Sequence, residues 1–274
     1  MPLKIAVFTM VHNEHRMLPL WMRHYGRLVG TKNTYVIDHE STDGSTFPYA
    51  ANCVRLPRRY NGADIRLPIV TGMQKMLLAE YDVVIYTDCD EFLVIDPAQH
   101  TSLDDALSAT DAPLIRCLGA DIVHLPKHEP EPLDFDAPIL GQRRYWYYSR
   151  PISKPIVTRT AADWVPGFHF IRGHEKLVPN PAFLLLHMRW ADMDHARDRM
   201  RLTRSMEWSP TAKTLGWGAH ARQDDAEVLS FFATKSAARP PDDADEGNLA
   251  VDGADPEKMY GPIRPIYTRL KHHF

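Results

Sequence analysis

Three carboxylates stand within four positions, at the point where a short apolar segment of the chain ends. Residues 82–87 form a predicted strand, and Asp88, Asp90 and Glu91 follow it directly. An ionised carboxylate is very costly to bury without a partner, so this crowding predicts either a hydrated loop or a cation site. Side chains 88 and 90 of an extended chain point the same way. Two hard oxygen ligands on one side suit Mg²⁺ or Mn²⁺, the usual partners of a nucleotide pyrophosphate.

The elements that must position these acids alternate between strand and helix over the first hundred residues. Strands are predicted at 4–9, 34–38, around 54–56 and at 82–87, and helices at 18–29 and about 68–80. This alternation predicts an α/β, Rossmann-like fold with a mostly parallel sheet and helices on both faces. Ligands of such sheets bind beyond the carboxyl ends of the strands. Polar segments 11–14, 38–43 and 88–91 all follow strands, which predicts one shared site.

The remainder of the chain is less regular. Residues 119–151 are rich in proline, aromatic and charged residues and are interpreted as an excursion from the sheet. Returning strands are predicted at 155–157 and 182–186, with a helix at 191–206. We expect one domain over 1–235, with a first part at 1–118 and a second at 119–235. Residues 236–274 are interpreted as a flexible linker and a tail that docks through Tyr260, Ile263 and Tyr267.

Composition excludes several classes of function. The chain of 274 residues has 32 basic and 35 acidic residues, and its formal net charge is −3. It therefore has no electrostatic case for binding nucleic acid or an anionic membrane. No stretch approaches the ~20 apolar residues of a transmembrane helix, and peripheral membrane contact is left open. Three widely separated cysteines favour a reducing, cytoplasmic setting.

Three of these segments carry a family resemblance. They are residues 11–14 (Val-His-Asn-Glu), 38–45 (Asp-His-Glu-Ser-Thr-Asp-Gly-Ser) and 88–92 (Asp-Cys-Asp-Glu-Phe). Together they resemble the family 2-like glycosyltransferases, and more narrowly the branch with an Asp-x-Asp-Glu-Phe motif. The match is strong over 4–95, and 153–156, 167–169 and 186–189 also look like later segments of that branch. The resemblance implies a GT-A fold, a nucleotide-diphosphate sugar donor, a divalent metal, and a glycan, glycolipid or protein acceptor.

The resemblance also implies roles for individual residues. Asp88 and Asp90 would hold the metal against the donor pyrophosphate, and His187 resembles the late histidine that completes the metal site in many GT-A enzymes. Asp38 and the backbone after Thr9 would lie near the base or ribose, in the nucleotide-sugar-binding half at 1–118. Residues 119–235 would form the acceptor half. The other residues expected on the donor side are His12, Asn13, Ser41, Asp43 and Arg66. The chain departs from the commonest family pattern at 39–40, where a second aspartate and a glycine are usual.

An inverting transfer also needs a base within hydrogen-bond reach of the acceptor hydroxyl. Among the downstream carboxylates, Glu175 is preferred over Asp163 and Asp121. His169 is the rival, because a histidine titrates near neutrality. Glu91 is expected either as a third, water-mediated metal ligand or as a carboxylate paired with an arginine.

Two other functions remain open on sequence alone. Haloacid-dehalogenase-like phosphatases also place Asp-x-Asp after an apolar strand, although Glu91-Phe92 does not follow their pattern. A non-catalytic nucleotide-sugar-binding protein with the same fold is the third reading. The aromatic run 145–148 is expected either to stack a sugar ring or to pack as an edge strand.

Overall fold

The computed structural model describes residues 2–237 and 258–271. The first half contains strands β1 (Ile5–Val11), β2 (Thr34–Asp38), β3 (Cys53–Arg55), β4 (Val83–Tyr86) and β5 (Glu91–Ile95), with helices α1 (Met17–Val29), α2 (Ala63–Leu77) and α3 (Leu103–Ser108). The second half contains β6 (Leu114–Val123), α4 (Ile139–Gln142), β7 (Tyr145–Tyr148), β8 (Val157–Thr158), β9 (Pro179–Trp190), α5 (Met193–Ser205), α6 (Pro210–Thr214), α7 (Asp225–Ala237) and β10 (Arg264–Pro265). The predicted linker lies largely outside the described residues.

The sheet confirms the predicted α/β class. Strands β3, β2, β1 and β4 are adjacent and parallel, and β8 joins β4 to β6 through antiparallel pairs. Strand β9 runs parallel to β6 and antiparallel to β5. Parallel strands bring their carboxyl ends to one edge, so the segments after β1, β2, β3 and β4 meet there.

Helices cover both faces of the parallel core because its strands are apolar on both sides. In β1, Val7 packs in the cluster that contains Trp21 of α1, whereas its neighbour Phe8 packs in the cluster that contains Val70 of α2. This division follows the two-residue period of a strand. Strands buried on both faces read as continuous apolar runs, which is how the sequence reads at 5–8 and 83–86.

Two expectations from the sequence were wrong. Helix α2 begins at Ala63, ahead of the predicted start at Pro68, because Gly62 starts the helix and Pro68 is accommodated inside it. The excursion is also shorter than predicted, since β6 extends to Val123 and β7 returns to pair with it.

The described part of the tail packs on the body of the protein, as expected. Strand β10 pairs with β7, and Ile266, Tyr267 and Leu270 are buried in the main core. Tyr260 contacts the ring of Tyr147. Among the described residues, no helix combines the length and apolarity that a membrane crossing requires.

Candidate active site

A cavity of about 740 Å³ opens at the carboxyl edge of the parallel strands. Its walls include His12 and Glu14 after β1, His39 after β2, and Arg58 after β3. The acidic turn after β4 lies in the wall as well, together with side chains from the ends of β6 and β9. The strand-end segments predicted to share one site therefore do converge.

The acidic segment is a turn, not the extended chain that the sequence suggested. The amide of Glu91 donates to the carbonyl of Asp88 over 3.0 Å, which closes the turn. Cys89 is buried at its tip. Asp88 and Asp90 nevertheless both line the cavity, so their common direction comes from the turn and not from strand alternation.

Asp88 is held by two cations and a hydroxyl. Lys154 Nζ lies 3.0 Å from one of its oxygens, and Arg66 and the hydroxyl of Tyr86 both donate to the other. Burial raises the pKa of Asp88, but Arg66 and Lys154 outweigh it and hold that pKa well below the usual range. Lys154 also donates to Glu91 over 2.5 Å. Asp88 is therefore ionised and fixed in place at neutral pH.

Asp90 belongs to a chain of polar groups that runs into the protein. Its Oδ2 lies 3.3 Å from Nε2 of His187, and Nδ1 of His187 lies 2.5 Å from Asp121. The Nε atom of Arg189 is 3.8 Å from Asp90. Burial lowers the pKa of His187, but Asp90 and Asp121 raise it more, to about 9. In the protein alone, His187 is an imidazolium between two carboxylates.

The chemistry of these donors fits a divalent cation. Carboxylate oxygens with one imidazole suit Mn²⁺ or Mg²⁺. The Asp121 carboxylate contacts His187 in the way that an outer-shell carboxylate contacts and orients many ligating histidines. Within the described residues, no group of three or more His, Cys, Asp or Glu side chains already has metal-binding geometry. Arg66, Lys154 and the proton on His187 supply the positive charge instead.

Glu91 lies at the cavity wall, but its carboxylate is buried and engaged by neighbouring groups. Its side chain is 1% exposed, pairs with Lys154, and accepts a hydrogen bond from the amide of Asp88 over 3.1 Å. Of the two expected roles, the structure shows ion pairing, with a lysine in place of an arginine. Glu91 braces the turn that carries Asp88.

The two candidate bases are placed very differently. Glu175 is exposed, accepts a hydrogen bond from the amide of Gly173, and does not line the cavity. His169 does line it, with Nδ1 lying 2.7 Å from the carbonyl of Pro151. A carbonyl only accepts, so Nδ1 carries the proton and Nε2 keeps its lone pair. Burial and then Lys154 lower the pKa of His169 to about 4, so the ring is neutral.

Most of the residues expected on the donor side contact one another and not the cavity. Asn13 Oδ1 accepts from the amides of Thr42 and Asp43, and Ser41 Oγ accepts from the amide of Asn13 over 3.0 Å. Thr9 is fully buried, with its hydroxyl unpartnered. These contacts lock the loops after β1 and β2 together.

The carboxylate of Asp38 is saturated by hydrogen bonds from its own loop and the next strand. It accepts from the amide of Ser41 over 2.7 Å, from the hydroxyl of Thr46 over 3.0 Å and from Arg55 over 2.6 Å. Of the expected donor-side residues, only His12 and Arg66 have side chains in the cavity wall.

Several wall residues had no assigned role at the sequence level. Glu14 pairs with Arg199 of α5, which also donates to the carbonyl of Asn13 over 2.5 Å. Burial raises the pKa of Glu14 to about 7. Arg189 was within reach of sequence reasoning, since it lies two positions after His187 on a strand and shares its face. Nothing in the sequence around Arg199 indicated that it reaches the cavity.

The cavity wall is charged in both senses. Its cations are Arg58, Arg66, Lys154, Arg189, Arg199 and Lys235, and its carboxylates are Glu14, Asp88, Asp90, Glu91 and Asp121. The Nε atom of Arg58 is buried without a hydrogen-bond partner, and burial together with the positive charge of Arg58 lowers the pKa of both His12 and His39. Such a wall can bind a polyanion together with a cation.

Comparisons with known proteins gave structural matches only. No protein-family model and no curated protein sequence matches the chain. A mannosyltransferase from Pyrobaculum calidifontis, solved with GDP-Man and Mn²⁺, is similar with a TM-score of 0.39 and 15% identity, over 87% of this chain and 75% of that one.

Two further solved structures are similar over different shares of the chain. Glucosyl-3-phosphoglycerate synthase from Mycobacterium tuberculosis, with Mg²⁺ and UDP, has a TM-score of 0.25 and 20% identity, over 33% of this chain and 34% of that one. Mannose-1-phosphate geranyltransferase from Thermus thermophilus has a TM-score of 0.30 and 12% identity, over 86% of this chain and 65% of that one. Similarity at this level assigns no activity to the chain, and its function is inferred from the cavity itself.

Proposed function

We propose that this protein is a metal-dependent glycosyltransferase of the GT-A type, family 2-like, that takes a sugar from a nucleotide-diphosphate donor. The observation that carries the proposal is the chain of contacts from Asp90 through His187 to Asp121, in the wall of a cavity that also presents several cations. A pyrophosphate bound with a divalent cation needs both kinds of group. The free cysteines at 53, 89 and 117 support a reducing, cytoplasmic setting.

The metal would be held by Asp90 and His187, with Asp88 beside them. When bound, a divalent cation neutralises charge that develops on the leaving diphosphate. A ligating imidazole is neutral, so His187 would give up its proton to hold the cation, and Asp121 would orient the ring through Nδ1. Arg66 and Lys154 would supply fixed positive charge for the phosphates.

We assign His169 as the base that takes the proton from the acceptor hydroxyl. Its Nε2 atom holds a lone pair, since Nδ1 is committed to the carbonyl of Pro151. His169 and Lys154 both line the cavity, and Lys154 Nζ lies 3.0 Å from Asp88, which supports a position of the imidazole near the proposed metal site. A base here serves an inverting transfer to a hydroxyl of a glycan, a glycolipid or a protein. Glu175 has no part in this assignment.

The test is donor binding followed by donor hydrolysis. UDP- and GDP-sugars with Mn²⁺ should raise the melting temperature by about 5 °C when the matching donor is present at ~100 times its Kd. Asp90→Asn and His187→Gln remove proposed ligands, so they should lower metal affinity by more than the ~10- to 100-fold typical of losing an outer-shell partner and abolish metal-dependent hydrolysis. Asp104→Asn, an exposed acid on α3, is the matched control and should behave as wild type.

Each alternative gives a different result. No thermal shift with any donor, with or without metal, contradicts the proposal. A shift without hydrolysis indicates a non-catalytic binder. Hydrolysis of a generic aryl phosphate that is lost in Asp88→Asn indicates a phosphatase.

A further inference from the structure

One wall of the cavity is built from aromatic rings that four separate elements supply. Tyr147 of β7, Trp190 at the end of β9, Phe231 of α7 and Tyr260 of the tail all line it, and we call them the aromatic wall. Trp190 and Phe231 stack with their centroids 4.2 Å apart, and Tyr147 meets Tyr260 edge-on at 5.9 Å. Tyr147 is buried and Trp190 and Phe231 are partly exposed, whereas Tyr260 is 52% exposed, so Tyr260 is the ring of the wall most open to a ligand.

Lys235 of α7 places a positive charge on this wall. Its Nζ lies 3.9 Å from the ring centroid of Tyr147 and 5.5 Å from that of Phe231. In residues 2–237 and 258–271, no carboxylate forms an ion pair with this half-buried ammonium, and burial lowers its pKa although Asp121 opposes the shift. Rings satisfy the charge only in part, so its N–H donors are left for a ligand.

The aromatic wall adjoins the side of the cavity that holds Asp90 and His187, and Asp121 lies between the two. In the sheet, Asp121 of β6 stands directly opposite Tyr147 of β7, and its carboxylate contacts His187. The loops after β1 and β2, where the nucleotide is expected, lie on the other strands of the sheet. A group resting on the aromatic wall is therefore beside the metal side of the cavity and on the side away from the nucleotide.

We infer that the aromatic wall and Lys235 form the acceptor subsite, and that the acceptor is a pyranose bearing a carboxylate or a phosphate. A pyranose ring has a C–H face that stacks on aromatic rings and a polar rim that accepts hydrogen bonds. A neutral sugar adds no charged partner for this half-buried ammonium, whereas an anionic one forms a charge-assisted hydrogen bond with it. This inference rests on the proposed function for the role of the subsite.

Saturation-transfer NMR on the full chain tests it, with methyl glycosides of glucose, galactose and mannose, the matching methyl uronides, and the hexose 6-phosphates as probes. At least one anionic series should bind about tenfold more tightly than its neutral parent. Lys235→Gln should abolish that preference and leave neutral binding intact. Tyr260→Ala should weaken neutral and anionic probes alike, by about threefold to tenfold.

The controls are an exposed lysine and an exposed aromatic residue elsewhere. Lys75→Gln and Phe47→Ala, at a side chain that is 75% exposed, should change neither series. The inference is overturned if no anionic probe shows saturation transfer, or if Lys235→Gln leaves the preference unchanged. A preference for uronides over 6-phosphates, or the reverse, identifies which anion the acceptor carries. Donor thermal shifts are measured on the same samples, so loss of donor binding and loss of sugar binding are separate results.

Discussion

Asp38 ends strand β2 and Asp90 lies in the turn after β4, at the same edge of the sheet, yet their carboxylates have opposite surroundings. The side chain of Asp38 is 2% exposed, and an amide, a hydroxyl and a guanidinium saturate it. The side chain of Asp90 is 23% exposed, and its nearest partners lie 3.3 and 3.8 Å away in the cavity. One acid is used up in building a loop, and the other is left open to a ligand.

The difference follows from where the partners lie in the chain. Asp38 accepts hydrogen bonds from residues 41, 46 and 55, which belong to its own loop and the next strand. The carboxylates of the acidic turn pair with Lys154, His187 and Arg189, which come from parts of the chain distant in sequence. Local partners can close around an acid early, whereas distant elements leave a gap between them. A strand-end aspartate is thus a candidate ligand when its own loop does not saturate it.

The largest effect should come from removing the lysine beneath the acidic turn. Lys154→Met leaves Glu91 buried without its cation, which should cost about 3–5 kcal/mol of unfolding free energy in urea titrations. Lys75→Met, at an exposed lysine, is the control. Adding Glu91→Gln to Lys154→Met should restore part of the loss, because it removes the uncompensated charge. A loss below ~1 kcal/mol would show that water reaches this pair.

A smaller effect is expected at Asp38. Asp38→Asn weakens its charge-assisted hydrogen bonds, so the unfolding free energy should fall by about 1.5–3 kcal/mol, while donor binding by the folded protein stays near wild type. Asp90→Asn should give the opposite pattern, with stability kept and metal-dependent binding lost. If Asp38→Asn abolished donor binding without changing stability, the contrast between the two acids would be wrong.

The smallest effect is the pH dependence of the Asp38 contribution. Burial raises the pKa of Asp38, but the hydrogen bonds from Ser41 and Thr46 and the charge of Arg55 outweigh it, so the pKa is lowered. A lowered folded-state pKa gives stability that is complete above the unfolded value of about 4 and is lost as pH falls through the folded value. The stability difference between wild type and Asp38→Asn should be constant from about pH 7 to 5 and shrink below about pH 4. A difference that persists unchanged to about pH 3 would exclude this linkage.

Local pattern was enough to predict the parallel core. Strand β2 was predicted at its observed bounds, and α1 began one residue earlier than expected, because both have strong apolar periods. The start of α2 was predicted at about Pro68, whereas the helix begins at Ala63. The pairing of β6 with β7 and β9 joins residues that are distant in sequence. Local pattern did not reveal it, so the excursion predicted at 119–151 was too long.

The site was predictable only where chemistry and strand ends coincide. Asp88, Asp90 and His187 line one cavity, as the sequence indicated, although their binding of a metal stays a prediction. Among the side chains from helices and the tail, Tyr260 was expected only to dock the tail, and Arg199 and Lys235 carried no local signal. Their positions depend on how α5, α7 and the tail pack on the sheet, which no motif encodes.

Strand β9 pairs with β5 and supplies the groups that face the acidic turn across that ladder, with Glu91 opposite His187. A nascent chain that has left the ribosome only as far as β5 would present Asp90 and Glu91 with none of their basic partners. The side chains of Asp90 and Glu91 therefore gain all their basic partners only after synthesis of almost another hundred residues. Were the polypeptide split into two co-expressed pieces, the amino-terminal piece would require the other in trans to set its acids in place.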